Sequence, residues 1–491
     1  MRTPRGVSIV AEVKDHEAPR AGRTRTTADR TDGLTRRAAL GSAVGTALAM
    51  DLLGAAAPAT ASAGSAIAAN RPTEGLGVGN LGRGGRPMPL ATVAAVAKAI
   101  GRGEPVAIVD LAAIDRNCHR LTTWSASNRI AWRPAYKTLR SPQLLAYVLG
   151  KLDRPRVMVH HLRDVSQALP HVPAGTDFLM GYPPTLGELQ QYMRSRPEPG
   201  ERRHVLRINV DSIELLRALD QLSKHTPRKL PIDVVLEIYN GIPRGGFNPG
   251  AELTEALKLL RAARGRLRLG ALLCYDALAS GESDSATRKQ AAQFAQHNMS
   301  QAYEAVVAQA HDFVDLKTFI RNGPGSSNYP NWAGSTAANE FSAGSAVLFA
   351  DYLDPYDISA GLVKGLYLCA PVLRRPENLF MGKGPFPIPA GTEPVFIKSG
   401  GWPTGNNPTL SKLRYPAGLL EGPVYGRGSN ASGLILAHPG QLKLGDYVVE
   451  TAQQVMEGQD YFGGMYAVRQ GAVRALWPTV SRWVGQREEL A

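Results

Sequence analysis

The chain has 491 residues, 44% of them hydrophobic and 20% charged, the profile of a soluble globular protein with room for two domains and their cores. Its net charge of +14 is scattered, without a basic run or a basic–aromatic alternation, which argues against a nucleic-acid surface and for anion-binding pockets. The three cysteines, Cys118, Cys274 and Cys369, lie in apolar surroundings and read as buried thiols, so no disulfide framework is implied.

The first 63 residues read as targeting. Thr35-Arg36-Arg37-Ala38-Ala39-Leu40 is a twin-arginine pattern, followed by an Ala/Gly-rich apolar run interrupted by Asp51 and by a small-residue cleavage site, Ala61-Ser62-Ala63. Export by the twin-arginine route to the periplasm or the exterior is the expectation. The run is too short and too weakly apolar for a stable membrane span, and no later stretch reaches about 18 apolar residues. Because this route carries folded proteins, it suits an enzyme that takes up a cofactor before crossing. A Gly/Pro/Arg-rich linker follows at 64–88.

From 89 onward short apolar runs alternate with amphipathic stretches. Pro105–Val109 is the first strand candidate. Ile130–Arg133, Val157–Val159, Phe178–Met180, Val205–Val210, Val234–Ile238, Leu267–Leu273 and Phe319–Ile320 follow. Segments such as Ser212–Lys224 and Ala251–Ala263 show helical spacing between them. Alternating strands and helices predict a parallel sheet, and about eight such units fit an α/β fold of the (β/α)8, TIM-like barrel type over 89–345. Helical periodicity then fades. Runs such as Leu362–Val372, Glu393–Lys398 and Tyr447–Glu450 predict an appended C-terminal, mainly-β domain over 346–480, with a short tail at 481–491. Tyr466–Val473 reads as a hairpin turning at Gln470-Gly471.

Three features bear on chemistry. Lys137, in Arg133-Pro-Ala-Tyr-Lys-Thr-Leu-Arg-Ser-Pro142, follows a strand, and catalytic groups of barrels sit at strand ends. Nearby Arg133 and Arg140, with partial burial, would lower its pKa and favour Schiff-base chemistry. A lysine after a strand is otherwise a solvated surface residue. Asn322-Gly-Pro-Gly-Ser-Ser-Asn-Tyr329 supplies glycines whose backbone N–H groups can converge on an anion, with Ser326 and Ser327 as hydroxyl donors; an ordinary turn is the bland alternative. Arg244 stands in a glycine-rich loop just past a strand end, where an inward guanidinium would meet a ring nitrogen or a carboxylate.

Together these segments resemble the D-threonine aldolase/D-serine dehydratase-like family. Arg133-Pro-Ala-Tyr-Lys137-Thr138 with Ser141-Pro142 is similar to its Arg-Pro-x-x-Lys-Thr-x-x-Ser-Pro signature. Val106–Asn117 resembles its opening strand and helix, and Gly241–Gly246 its Gly-x-x-Arg-x-Gly loop. Cys274-Tyr275-Asp276 resembles its Tyr-Glu/Asp corner, and Gly323–Tyr329 its phosphate cradle. Asn339-Glu340 with Gly344, Leu444–Val448 and Tyr466–Gly471 are similar to its later elements. The resemblance spans about 90–478. It implies an alanine-racemase-like barrel (pyridoxal-phosphate fold type III) and pyridoxal 5'-phosphate on Lys137. Arg244, Tyr275, Gly323, Gly325, Ser326 and Ser327 would contact the cofactor. The implied activity is that of a lyase on a D- or β-hydroxy amino acid, by aldol cleavage or by dehydration. An amino-acid racemase or epimerase, or a non-catalytic pyridoxal-phosphate-binding protein, are the alternatives, and a homodimer is expected by analogy only.

The chain departs from that pattern at three places. Metal-dependent members carry a His-x-Cys or His-x-Asp pair after the Gly-Asp strand. The matching positions here are Gln454 and Met456, so no metal is expected. The Tyr-Glu-Gly-His corner becomes Tyr275-Asp276-Ala277-Leu278. Conversely, His160 and His161 end a strand where the family more often has small residues or threonine; one of them, assigned here as His161, is a candidate acid/base beside Lys137 and Tyr275.

Overall fold

The computed structural model describes residues 85–195, 204–225, 230–276, 284–356, 361–376, 388–398, 411–422 and 432–480, all within one unit, Glu74–Ala491. The leader (1–63), most of the linker and the tail (481–491) lie outside the described residues.

The first strand, β1 (Val106–Asp110), precedes eight parallel barrel strands. These are β2 (Ala131–Arg133), β3 (Arg156–Val159), β4 (Asp177–Met180), β5 (Val205–Val210), β6 (Ile232–Glu237), β7 (Leu267–Leu273), β8 (Ile320–Asn322) and β9 (Glu340–Ser342). They pair in the order β2-β9-β8-β7-β6-β5-β4-β3. A bridge Ala135↔Met158 and the Met158 N–H donating to the Pro134 carbonyl (2.8 Å) bring β2 against β3 and nearly close the ring. Outside it, the helices Ile213–His225 and Ala251–Ala262 bury Leu216, Leu219, Leu253 and Leu257, each contributing roughly 1.5–3 kcal/mol.

The second sheet contains β10 (Leu366–Arg374), β11 (Glu393–Ile397), β12 (Lys412–Tyr415), β13 (Leu420–Glu421), β14 (Gly433–Ala437), β15 (Tyr447–Thr451), β16 (Gly464–Arg469) and β17 (Ala472–Pro478). Its hairpin β16–β17 turns at Gln470 (φ 52°) and Gly471 (φ 80°), as the Gln-Gly pair suggests.

Strand β1 is where sequence and structure part. It lies in this second sheet, antiparallel to β10 (Ala107↔Leu368) and parallel to β16 (Ala107↔Met465). It is not the opening strand of the barrel, which is β2; β9 completes the eight. The run Val106-Ala-Ile-Val109 is buried at every position, and a fully apolar strand reads the same in a barrel wall as in a covered sheet. The chain then enters the barrel through the helix Leu111–Asn128, capped by Asp110, whose carboxylate accepts from Ala112 N (2.9 Å) and Met88 N (2.7 Å). Asn117 on that helix ties the domains together. It donates to the carbonyls of Val347 (2.8 Å) and Val363 (2.7 Å) and accepts from Val363 N (2.9 Å).

Inside the barrel, the N-terminal end of the strands is filled by ion pairs. Arg133, 1% exposed, meets Glu340 (Nε–Oε1 2.6 Å) and Asp177 (3.4 Å). Those carboxylates offset its charge, and Arg140 is likewise paired with Asp460 (3.2 Å). The two arginines therefore do not act on Lys137 as the bare cations the sequence suggested. Among the described residues no helix is long and apolar enough to cross a membrane.

Candidate active site

Lys137 stands in a 3₁₀ turn, Tyr136–Thr138, at the C-terminal end of β2. The Ser-Pro pair behind it starts the next helix: Ser141 Oγ accepts from Leu144 N (3.4 Å), and Pro142 occupies the first helical position. The turn is held from the second domain. Gln459, on the helix Val455–Asp460, donates from Nε2 to the Thr138 carbonyl (2.9 Å), and Asp460 on the same helix pairs with Arg140.

A cavity of about 220 Å³ opens over the strand ends, and Lys137, Arg244, Tyr275, Gly325 and Ser326 all line it. These residues come from four separate stretches of chain, and the barrel brings them together. The remaining predicted site residues fall elsewhere. Gly323 packs against Trp332, whose ring a β-carbon there would approach to 2.8 Å, so its glycine serves packing. Ser327 is buried (5% exposed) and outside the lining. His161 is also outside it: its ring faces Glu188 (3.7 Å) in the first turn of the helix Leu186–Ser195, while His160 lines the cavity. The assignment to His161 is thereby corrected. Strand alternation sends only one of two consecutive side chains inward.

The glycine–serine turn is built by close approach. Gly325 donates its N–H to Asp276 (3.2 Å), and a β-carbon on it would lie 2.5 Å from the Tyr275 ring. Asp276, 2% exposed, also accepts from Asn328 Nδ2 (2.7 Å) and Trp332 Nε1 (2.9 Å); burial pushes its carboxyl up against these donors. Ser326 Oγ accepts from the backbone N–H groups of Gly344 (3.1 Å) and Ala346 (3.3 Å). Gly344 in turn abuts the lysine turn: a β-carbon there would overlap Thr138 Oγ1 and lie 2.8 Å from the Ala135 carbonyl. Gly325, Ser326, Gly344 and Ser345 thus line one cavity with Lys137, and small side chains there leave room for an anion.

Arg244 points inward, as predicted, but is not a lone cation. Its Nε donates to Glu237 (2.6 Å) and its Nη2 to the Gly181 carbonyl (2.5 Å), and its guanidinium lies 4.7 Å from the Tyr182 ring and 5.1 Å from that of Tyr275. Glu237, 1% exposed at the end of β6, also accepts from Asn209 Nδ2 (2.9 Å). Burial pushes its carboxyl up, against the pull of the Arg244 guanidinium. Neither Glu237 nor Asn209 is picked out from the sequence; the signal is a carboxylate that ends the apolar run Val234–Leu236. Tyr352, also missed, lines the cavity, and burial pushes its phenol up.

A family model described as alanine racemase, N-terminal domain, matches residues 109–311. Most of the barrel, β2 to β7, is thus similar to an alanine racemase N-terminal domain. The fold extends the likeness to both domains. D-threonine aldolase from Filomicrobium marinum superposes with a TM-score of 0.62 at 19% identity, covering 76% of this chain and 94% of that one. D-threo-3-hydroxyaspartate dehydratase from Delftia sp. HT23 gives 0.61 at 18%, covering 77% and 98%. Alanine racemase from Clostridium difficile 630 gives 0.56 at 13%, covering 77% and 99%. No curated protein sequence matches the chain. Over the barrel the second domain contributes Gln454 and Met456 to the cavity wall. An amide and a thioether are a poor set for zinc or manganese. Among the described residues no group of three His, Cys, Asp or Glu is placed to hold a metal ion.

Proposed function

We propose that this chain is a pyridoxal-phosphate-dependent lyase acting on a D- or β-hydroxy amino acid through Lys137, without a divalent metal. The observation that carries the reading is that Lys137 and Ser326 line the same cavity, together with Arg244 and Tyr275. The residues fit the cofactor: a glycine–serine wall whose close approach to Tyr275 and to the lysine turn leaves no space for β-carbons at Gly325 or Gly344, a lysine amine at the strand end, and an arginine fixed by Glu237. When bound, pyridoxal phosphate supplies an aldehyde that condenses with amines and a conjugated ring that takes up electrons from a bond broken at Cα.

In this reading Gly325, Ser326, Gly344 and Ser345 hold the phosphate, and Tyr275, packed on Gly325, keeps that turn in place. Arg244, already half-neutralised by Glu237, donates hydrogen bonds to a ring nitrogen or a substrate carboxylate. Lys137 is the covalent anchor, and its Nζ moves the Cα proton. The second domain roofs the cavity through Gln454 and Met456 and limits water at the reacting atoms.

Incubation of the cofactor-loaded protein with D-threonine, D-serine and phenylserine tests this: keto acid or aldehyde should form, and dialysis against a chelator should leave the rate unchanged. Absence of both products from all three would overturn it. The alanine racemase match favours a racemase as the second reading, which solvent deuterium entering at Cα without fragmentation would support. The leader supports export of the folded chain by the twin-arginine route. Changing Arg36 and Arg37 to lysine should leave uncleaved precursor inside the cell, and undiminished export would refute that part.

A further inference from the structure

We propose that His160 is the proton donor to a leaving oxygen on the substrate's Cβ, so that the reaction is a dehydration; this rests on the lyase reading given above. The bridge between β2 and β3 pairs Ala135 with Met158, and both residues line the cavity. Lys137 and His160 stand two residues beyond these partners and line it as well. Neighbouring strands run about 4.8 Å apart, so the two side chains spring from adjacent points of the rim. On its other side His160 meets β4. A β-carbon at Gly181 would lie 3.1 Å from His160 Nε2, and the bare glycine leaves the ring its space. The carbonyl of Gly181 holds Arg244. His160 therefore stands just past the end of β3, between the strand leading to Lys137 and the one past whose end the Gly181 carbonyl holds the arginine. Its backbone N–H is fixed by the Asp164 carboxylate (3.1 Å).

The other groups on the wall suit this task less well. Gln454 and Met456 carry no transferable proton and cannot act as a Lewis acid on oxygen. Tyr275 is packed between Arg244 and Gly325, and burial pushes the Tyr352 phenol above its usual range. In the step, Lys137 Nζ takes the Cα proton and that bond's electron pair forms the Cα=Cβ bond. The Cβ–O bond breaks with its pair remaining on oxygen, and the proton from His160 turns the departing hydroxide into water. The aminoacrylate released reacts with water to give a 2-oxo acid and ammonia.

The test uses the full chain loaded with pyridoxal phosphate and two probes, D-serine and β-chloro-D-alanine, whose chloride leaves without a proton. His160→Asn and His160→Gln should raise the rate ratio of chloroalanine elimination to serine dehydration by about 10²–10⁴-fold, with the absorbance band of the bound cofactor unchanged. An unchanged ratio in both variants, whether through equal loss of both reactions or of neither, would overturn the assignment. Wild-type protein that carries the cofactor on Lys137 yet forms pyruvate from neither probe would also overturn it while leaving the lysine reading intact. Failure of Lys137 to take the cofactor would overturn both.

Discussion

Gly344→Ala is the substitution whose effect the geometry defines most closely. Gly344 has φ −123°, a value any residue adopts, so the backbone itself is not strained by a side chain. The β-carbon is what collides. It would lie 2.8 Å from the Ala135 carbonyl and 3.0 Å from the Ala135 β-carbon, besides overlapping Thr138 Oγ1. The segment must then back away from the lysine turn. In doing so it withdraws the N–H groups of Gly344 and Ala346 from Ser326 Oγ. Two such hydrogen bonds are worth about 1–3 kcal/mol together, equivalent to about 5–150-fold in affinity for the cofactor. The assay is a fluorescence or absorbance titration of apo-protein with pyridoxal phosphate. Gly463→Ala, at a glycine with open space around it, is the control and should bind as wild type does. Adding Thr138→Ala should recover part of the loss, because one of the colliding atoms is then gone. Wild-type affinity in Gly344→Ala, or an equal loss in the control, would refute the reasoning.

Gln459→Leu removes the donor to the Thr138 carbonyl at a fully buried site; it should cost about 1–3 kcal/mol and shrink the melting-temperature gain on cofactor binding, whereas an unaltered gain would show that the helix does not hold the lysine turn. Glu237→Gln should weaken cofactor binding about 10-fold or more by leaving Arg244 without its carboxylate, and the same change in an Arg244→Gln background should do little. Equal effects in both backgrounds would show that the pair does not act as a unit. Asp115 provides a pH test. Burial raises its pKa, but hydrogen bonds from Lys151, Tyr147 and Arg469 outweigh this and hold it below its usual value of 3.8. Its contribution is therefore complete above that value and lost as pH falls through the folded-state value. Asp115→Asn should cost about 1–2 kcal/mol at pH 6 and progressively less toward pH 2, measured by denaturant unfolding; a difference constant with pH would count against the pairing.

The barrel class, the β-domain and the hairpin at Gln470-Gly471 are legible in the sequence because each rests on local periodicity or turn chemistry. The membership of β1 is not, since a uniformly apolar strand carries no information about its partners. Of the residues singled out in the sequence, Lys137, Arg244, Tyr275, Gly325 and Ser326 line the cavity, and their motifs place them near strand ends. Gly323 and Ser327 belong to the same motif but face Trp332 and the interior, and a motif does not tell which of its members point at a ligand. The choice of His161 over His160 failed at the same level: one residue of strand register decides it. Glu237 and Asn209 are conspicuous only once two strands lie side by side, because their role is toward Arg244. The helix Val455–Asp460 reaches the lysine turn across the domain junction, a contact that no local pattern encodes.

The most direct measurement is the absorbance spectrum of the purified protein before and after borohydride, followed by peptide mass mapping of the reduced adduct. A band that borohydride abolishes, with the pyridoxyl mass found on the peptide containing Lys137 and missing from Lys137→Ala, is the predicted result. A protein that takes up no pyridoxal phosphate, or carries it on another lysine, would contradict the account.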